Sequence, residues 1–263
     1  MGRMLIEAVQ QHAETRLVAA FETDHHPLLG VDALSLSVAA RNSASSKDAA
    51  CAETLPITAD LPARLNASNC LIDFTQPEGT LTHLQCCLEA KVSMVIGTTG
   101  FDTRGKTAIK DAAQHIPIVF APNMAVGVNV LFKLLQKAAR SLSTYDVEII
   151  EAHHRLKVDA PSGTALRMGE LVADAQQRGL ASCAVYGREG HTGERKTDTI
   201  AFSSIRGGDI VGDHTAMFCG IGERLEITHK ASSRMPYAQG AVRAALFLRG
   251  KSHGLYDMQD VLE

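Results

Sequence analysis

Three short apolar runs constrain this chain most: Leu71 to Thr75, Val92 to Ile96 and Ile118 to Ala121. Each pair is separated by a stretch long enough for one helix. Pro77 stands where the first such helix can start, since its missing N–H costs nothing in a first turn. A polar helix reads from Thr103 to Gln114. Strands alternating with helices predict βαβ units and a parallel sheet. Upstream, Met4 to Ala13 reads as a helix and Arg16 to Phe21 as a further strand ending at Glu22. In such sheets ligands bind at the carboxyl ends of the strands. Those ends carry Glu22, Phe74-Thr75, Gly97-Thr98-Thr99 and Asn123, polar or glycine-rich as a nucleotide cleft requires.

The pattern changes after Met124. Val128, Leu131, Phe132, Leu135, Ala138, Ala139 and Leu142 follow the helical i, i+3, i+4, i+7 rule. Strand-like pieces then dominate: Val147 to Ala152, Cys183 to Tyr186, Thr199 to Ile205, His214 to Phe218 and Leu225 to His229. One helix, Thr164 to Gln177, interrupts them, and a last one, Tyr237 to Leu248, returns to the first domain. The expected fold class is α/β: a Rossmann-like, doubly wound parallel sheet with a second α+β domain. Residues 1–124 with 235–263 form the first domain and residues 125–234 the second. Ser35 to Leu55, rich in Ser and Ala without clear periodicity, reads as loop.

Composition narrows the function. The 263 residues are 45% hydrophobic and 21% charged, with a net charge of −3 and a pI near 6.4. That is an ordinary globular balance, sufficient for one or two domains. No dense Lys/Arg run is present, Trp is absent and only 5% of residues are aromatic, which argues against nucleic acid as a partner. No apolar stretch reaches the roughly 18 residues that a membrane helix needs. The six cysteines, Cys51, Cys70, Cys86, Cys87, Cys183 and Cys219, show neither zinc spacing nor a disulfide framework. With no secretory apolar region before Glu7, the cytoplasm is the expected compartment.

The chemistry is concentrated between Glu148 and Thr164 (EIIEAHHRLKVDAPSGT). His153, His154, Arg155 and Lys157 crowd into five positions at the end of a strand. Such a cluster raises its own electrostatic energy unless an anion is bound. Ser162-Gly163-Thr164 then opens a helix whose free N–H groups and dipole suit an anion. A pocket for a small polyanion follows, such as a dicarboxylate, with His153 or His154 as an acid near neutral pH. Taken singly, a His-His pair and a Ser-Gly-Thr helix start are usually structural; the combination is the specific signal. Gly-x-Ser-x-Gly is absent, and Asp159 alone does not make a metal site, so no metal is expected.

The stretch Glu151 to Thr164 resembles the signature of the 4-hydroxy-tetrahydrodipicolinate reductase family of lysine and diaminopimelate synthesis. The resemblance extends through Phe74-Thr75, Val95 to Gly100 (VIGTTG), Gly127 to Asn129 (GVN), Arg188 to Arg195 (REGHTGER) and Ile227 to Arg234 (ITHKASSR). It implies reduction by NADH or NADPH of a small cyclic dicarboxylate with loss of water, in a homotetramer built by the second domain. It places the nucleotide near Met1, Glu22, Gly97, Thr98, Thr99, Ala121, Pro122, Asn123 and Met124. It assigns catalysis to His153, as proton donor, and to Lys157. It assigns substrate binding to His154, Gly163 and Thr164.

Three departures from the family pattern stand out. Leu156 replaces a further His. Thr23 follows Glu22 where members that favour NADPH carry Arg; with no adjacent cation, Glu22 favours NADH. Third, the chain begins Met1-Gly2-Arg3-Met4, starting at the Met of the family's Gly-x-x-Gly-Arg-Met-Gly loop. The first strand and most of the glycines then have no counterpart here. A start placed too late and a shorter protein both account for this. On the second account, a homologue that keeps the fold but binds nucleotide poorly is the competing reading.

Overall fold

The computed structural model describes residues 1–36 and 54–263. The loop expected over Ser35 to Leu55 therefore lies largely outside the described residues, as does Cys51. Ser35 and Leu36 close a 3-10 helix, Ala33–Leu36. The chain divides into two compact units, Met1–Ala125 with Met235–Glu263, and Val126–Arg234.

The first unit holds a four-stranded parallel sheet in the order β1 (Cys70–Asp73), β2 (Ser93–Ile96), β3 (Pro117–Phe120) and β9 (Gly254–Tyr256). Its helices are α1 (Gly2–Gln11), α2 (Leu61–Leu65), α3 (Pro77–Ala90), α4 (Thr103–Ala112), α8 (Met235–Phe247) and α9 (Met258–Leu262). Local sequence sets their ends. Pro77 occupies the first turn of α3, and Lys91 ends it in the left-handed conformation at φ 55°. The Asp102 carboxylate caps α4 at the Gly105 amide, 2.7 Å away.

Successive strand residues face opposite sides. Met94, Ile96 and Ile118 pack with Leu84, Cys87, Ile109 and Ala112 of α3 and α4. Val95 and Val119 pack with Ala241 and Ala244 of α8, Leu248 just after it, and Met258 and Val261 of α9. Helices thus cover both faces, the doubly wound arrangement. Each Val, Leu, Ile or Met side chain among these, fully buried, contributes about 1.5–3 kcal/mol.

Arg16 to Phe21 is not a regular strand. Phe21 makes one isolated parallel bridge to Thr58, supported by Thr58 N–H to Ala20 O and Glu22 N–H to Thr58 O, both 3.1 Å. A strand needs a neighbour along its length, and among the described residues only this point of contact exists. The three-residue β9 was not foreseen either, being too short for any period to register.

The second unit carries a mixed five-stranded sheet. Its strands are β4 (Asp146–His153), β5 (Ala184–Tyr186), β6 (Ile200–Arg206), β7 (Gly212–Cys219) and β8 (Arg224–Ala231), in the order β5-β6-β4-β7-β8. β4 runs parallel to β6 and antiparallel to β7. Helices α5 (Val126–Ser141) and α6 (Gly163–Ala175) pack on each other and on the sheet, and a short α7 (Leu180–Cys183) follows. Along β4, Val147 and Ile149 are buried while Glu148 and Ile150 are half-buried. The alternation stops at the carboxyl end, where Glu151, Ala152 and His153 are all buried.

Candidate active site

That buried strand end is polar. Glu151 and His153 are two apart on β4 and so project to one side. Nδ1 of His153 lies 2.5 Å from Oε2 of Glu151. The register of β6 sets Arg206 beside His153. Its guanidinium donates to Oε2 at 2.9 Å and Oε1 at 2.8 Å of Glu151, and to the Asp159 carbonyl at 2.6 Å. The Ser162 amide donates to Oε1 at 3.3 Å. The Ser162 hydroxyl caps α6 at the Ala165 amide and meets Nε2 of His214 at 3.0 Å. His214, from β7, stands edge-on to His153 with ring centroids 5.1 Å apart.

The charges follow from these contacts. Burial raises the Glu151 carboxyl, but hydrogen bonds from Arg206, Ser204 and His153 outweigh it and hold the group down to about 2. Burial lowers His153; Glu151 opposes this incompletely, and the nearby Lys157 and Arg206 cations add to the lowering. Burial, with His153 nearby, pushes His214 down to about 4, so it is neutral at pH 7. Its Nδ1 is buried without a hydrogen-bond partner among the described residues.

Beside this cluster, His154, Arg155, Leu156, Gly208, Asp209, Val211 and Arg234 line an open cleft of about 670 Å³. Among the expected site residues, His154 is the one that lines it. The Nζ of Lys157 is held by both oxygens of Asp159, at 2.7 and 2.9 Å. Gly163 opens α6 with free space where a Cβ would stand, and Thr164 follows in the same first turn. Sequence reasoning gave no role to Glu151, Arg206, His214 or Arg234. For Glu151 the signal was present, a carboxylate two residues before a His on a strand. The other three come from distant segments.

In the first unit, Gly97 follows β2, and its amide donates to the Asp73 carbonyl at 2.8 Å. A Cβ there would lie 2.3 Å from the Phe74 ring. Thr98 is buried and Thr99 exposed. The Thr98 hydroxyl accepts from Thr80 at 2.9 Å and donates to Asp73 Oδ1 at 3.3 Å. After β3, Ala121, Asn123 and Met124 are buried and Pro122 is exposed. Oδ1 of Asn123 accepts from the Ala125 amide at 2.9 Å. Met1 precedes α1, which has no side-chain cap. Glu22 is exposed, and Nε2 of His26 stands 4.0 Å from its carboxylate. Sequence reasoning weighed only the adjacent Thr23 and did not name His26.

Comparison with known proteins gives the family. The family description "Dihydrodipicolinate reductase, N-terminus" matches residues 1–124, and "Dihydrodipicolinate reductase, C-terminus" matches residues 127–262. The chain belongs to the dihydrodipicolinate reductase family. Two curated relatives are named 4-hydroxy-tetrahydrodipicolinate reductase. That of Dechloromonas aromatica (strain RCB) is 61% identical, covering 100% of this chain and 94% of the relative. That of Aromatoleum aromaticum is 60% identical, covering 100% and 91%. A dipicolinate-bound dihydrodipicolinate reductase from Paenisporosarcina sp. TG-14 shares the fold at TM-score 0.73 and 23% identity, over 100% of this chain and 95% of that one. An amine dehydrogenase from Mycobacterium smegmatis shares it more distantly, at TM-score 0.55 and 9% identity, over 98% and 93%. Membership in the dihydrodipicolinate reductase family makes the chain an enzyme, a reductase of lysine and diaminopimelate synthesis. No helix among the described residues is long and apolar enough to cross a membrane.

Proposed function

We propose that this reductase binds the cyclic dicarboxylate 4-hydroxy-tetrahydrodipicolinate on its second unit and a pyridine nucleotide on its first. The observation that carries the reading is His153. It is 9% exposed, held at Nδ1 by a buried carboxylate, and has no partner for Nε2 among the described residues. The adjoining cleft carries the guanidinium groups of Arg155 and Arg234, with His154 and Asp209 also in its lining. In this reading His154, Gly163 and Thr164 hold the substrate carboxylates, and Arg234 adds a guanidinium fork suited to them. Gly163 and Thr164 supply the donors of a helix N-terminus.

The ring first loses water and is then reduced as a conjugated system. The nicotinamide, when bound, supplies hydride. His153 delivers the matching proton from Nε2, and a dianion close by favours its charged form. Lys157, the second catalytic group, stabilises negative charge developing on the ring once its ammonium is shared between Asp159 and the substrate.

The first unit fits a nucleotide. The first turn of α1 lacks a side-chain cap, the Met4 amide donates to the Met1 carbonyl, and we assign the Gly2 and Arg3 amides to phosphate. Met1, Gly97, Thr98, Thr99, Ala121, Pro122, Asn123 and Met124 are the further contacts we assign. Glu22 is the ribose acceptor, and its carboxylate repels a 2′-phosphate, which favours NADH over NADPH. We assign a homotetramer to the second unit, where Ile205, Ile221 and Leu225 are exposed and in want of a covering surface. The compartment assigned is the cytoplasm, in keeping with the free thiols of the described cysteines.

Titration of the protein with NADH and NADPH, followed by nicotinamide fluorescence, tests the nucleotide assignment. Binding on the order of micromolar is expected for NADH, with NADPH weaker. Equal affinity removes the role given to Glu22. Absence of binding by either overturns the nucleotide site.

A further inference from the structure

The carboxylate of Glu151 is 1% exposed and takes donors on both oxygens: His153, both Arg206 contacts and the Ser162 amide. A simple buried ion pair with Arg206 would need neither the imidazole nor the amide. We propose that Glu151 is a positioning residue of the reaction. It fixes His153 with Nδ1–H turned inward, so that Nε2 meets the substrate, and it ties the imidazole to the helix start that carries Gly163 and Thr164. The inference rests on the reading of His153 as proton donor.

The argument is one of donors and acceptors. An ionised carboxylate only accepts, so the imidazole nitrogen facing it must carry the proton. Glu151 stays ionised across the working range because Arg206 and the hydrogen bonds offset its burial. The groups that face His153 are Glu151 from its own strand, Arg206 from β6, the neutral His214 from β7, and Lys157 with Asp159 from the following loop. Among these, Glu151 is the group that both favours the imidazolium and fixes the ring's direction. Through the Ser162 amide the same carboxylate sets where α6 begins. One side chain thereby registers the acid against the anion site.

The test is Glu151→Gln in the full-length enzyme, which keeps the size and removes the charge. The expected result is a fall in kcat of about 10–100-fold at pH 7 with nucleotide affinity unchanged. The alkaline limb of the kcat profile should also move to lower pH by about one unit, since the anion that favours the imidazolium is gone. Glu151→Asp, which keeps the charge, should restore the limb toward its original pH. A merely structural residue would lower the fraction of active enzyme without moving the limb. An unmoved limb, whatever the kcat, overturns the inference. His153→Ala, measured alongside, separates the two layers. If it keeps full turnover, the donor reading fails and the inference with it. If it loses turnover while Glu151→Gln does not, only the inference fails. Should Glu151→Gln not fold, the nitrogen chemical shifts of His153 in the isotope-labelled native enzyme decide. The neutral form should carry its proton on Nδ1; a proton on Nε2 instead overturns the proposal.

Discussion

The Asp73 carboxylate and the His83 imidazole meet at 2.6 Å. Asp73 closes β1, and its other oxygen, Oδ1, takes the Thr75 amide at 2.8 Å and the hydroxyls of Thr75, Thr80 and Thr98 at 2.7, 3.1 and 3.3 Å. Burial raises this carboxyl, but the bonds from His83 and Thr75 prevail and hold it below its ordinary range. One buried anion thereby anchors the loop that carries Gly97, Thr98 and Thr99.

Asp73→Asn should loosen that loop. An amide oxygen can keep some of the contacts, but the charge and one acceptor are lost. We expect the NADH dissociation constant to rise about 5–50-fold, with stability lower by about 1–3 kcal/mol. Fluorescence titration and urea denaturation measure the two quantities. Unchanged affinity in a folded variant would show that Asp73 has no part in the nucleotide binding proposed for this loop.

Gly240 couples α8 to the turn after β3. A Cβ at Gly240 would stand 1.8 Å from the Met124 carbonyl oxygen. The Cβ meets backbone there, which no side-chain rotation relieves. Gly240→Ala should cost about 3 kcal/mol or more and displace Asn123 and Met124. Urea denaturation followed by circular dichroism measures the loss. A change under about 0.5 kcal/mol would show that the helix and turn part easily.

His214 sets a pH dependence of stability. Its folded value of about 4 lies below the ordinary 6.5. Between these limits the unfolded chain binds a proton that the folded chain refuses. Stability is therefore full above about pH 6.5 and falls by on the order of 3 kcal/mol as the pH drops towards 4. Glu151, held at about 2 against an ordinary 4.5, adds a second loss at still lower pH. Urea midpoints of the native enzyme at pH 7 and pH 5 should differ accordingly, and His214→Gln should flatten the upper window. An unchanged slope in that variant would assign the window to other groups.

Much of the framework is legible in the sequence. The runs around Leu71, Val92 and Ile118 became the parallel strands, and the Val128 to Leu142 pattern became α5. Arg16 to Phe21 misled because an apolar run reports burial and not the presence of a strand partner. The candidate site divides in the same way. His153, His154, Lys157 and Gly163, whose roles are proposed above, share one contiguous motif and so stood out in the sequence. Arg206 reaches Glu151 through the register of β4 and β6. His214 arrives by antiparallel pairing of β7, opposite Glu151. Arg234 reaches the cleft from the end of the second unit. Linear spacing does not encode such pairings, so the groups that tune the acid stayed invisible until the sheet was seen.

The central claim is that His153 gives the proton. The most direct test compares native enzyme with His153→Ala in steady-state reduction of 4-hydroxy-tetrahydrodipicolinate, with NADH affinity measured on both. The account predicts kcat lower by about 100-fold or more, with NADH affinity within about twofold of native. Equal turnover in the two proteins would contradict it.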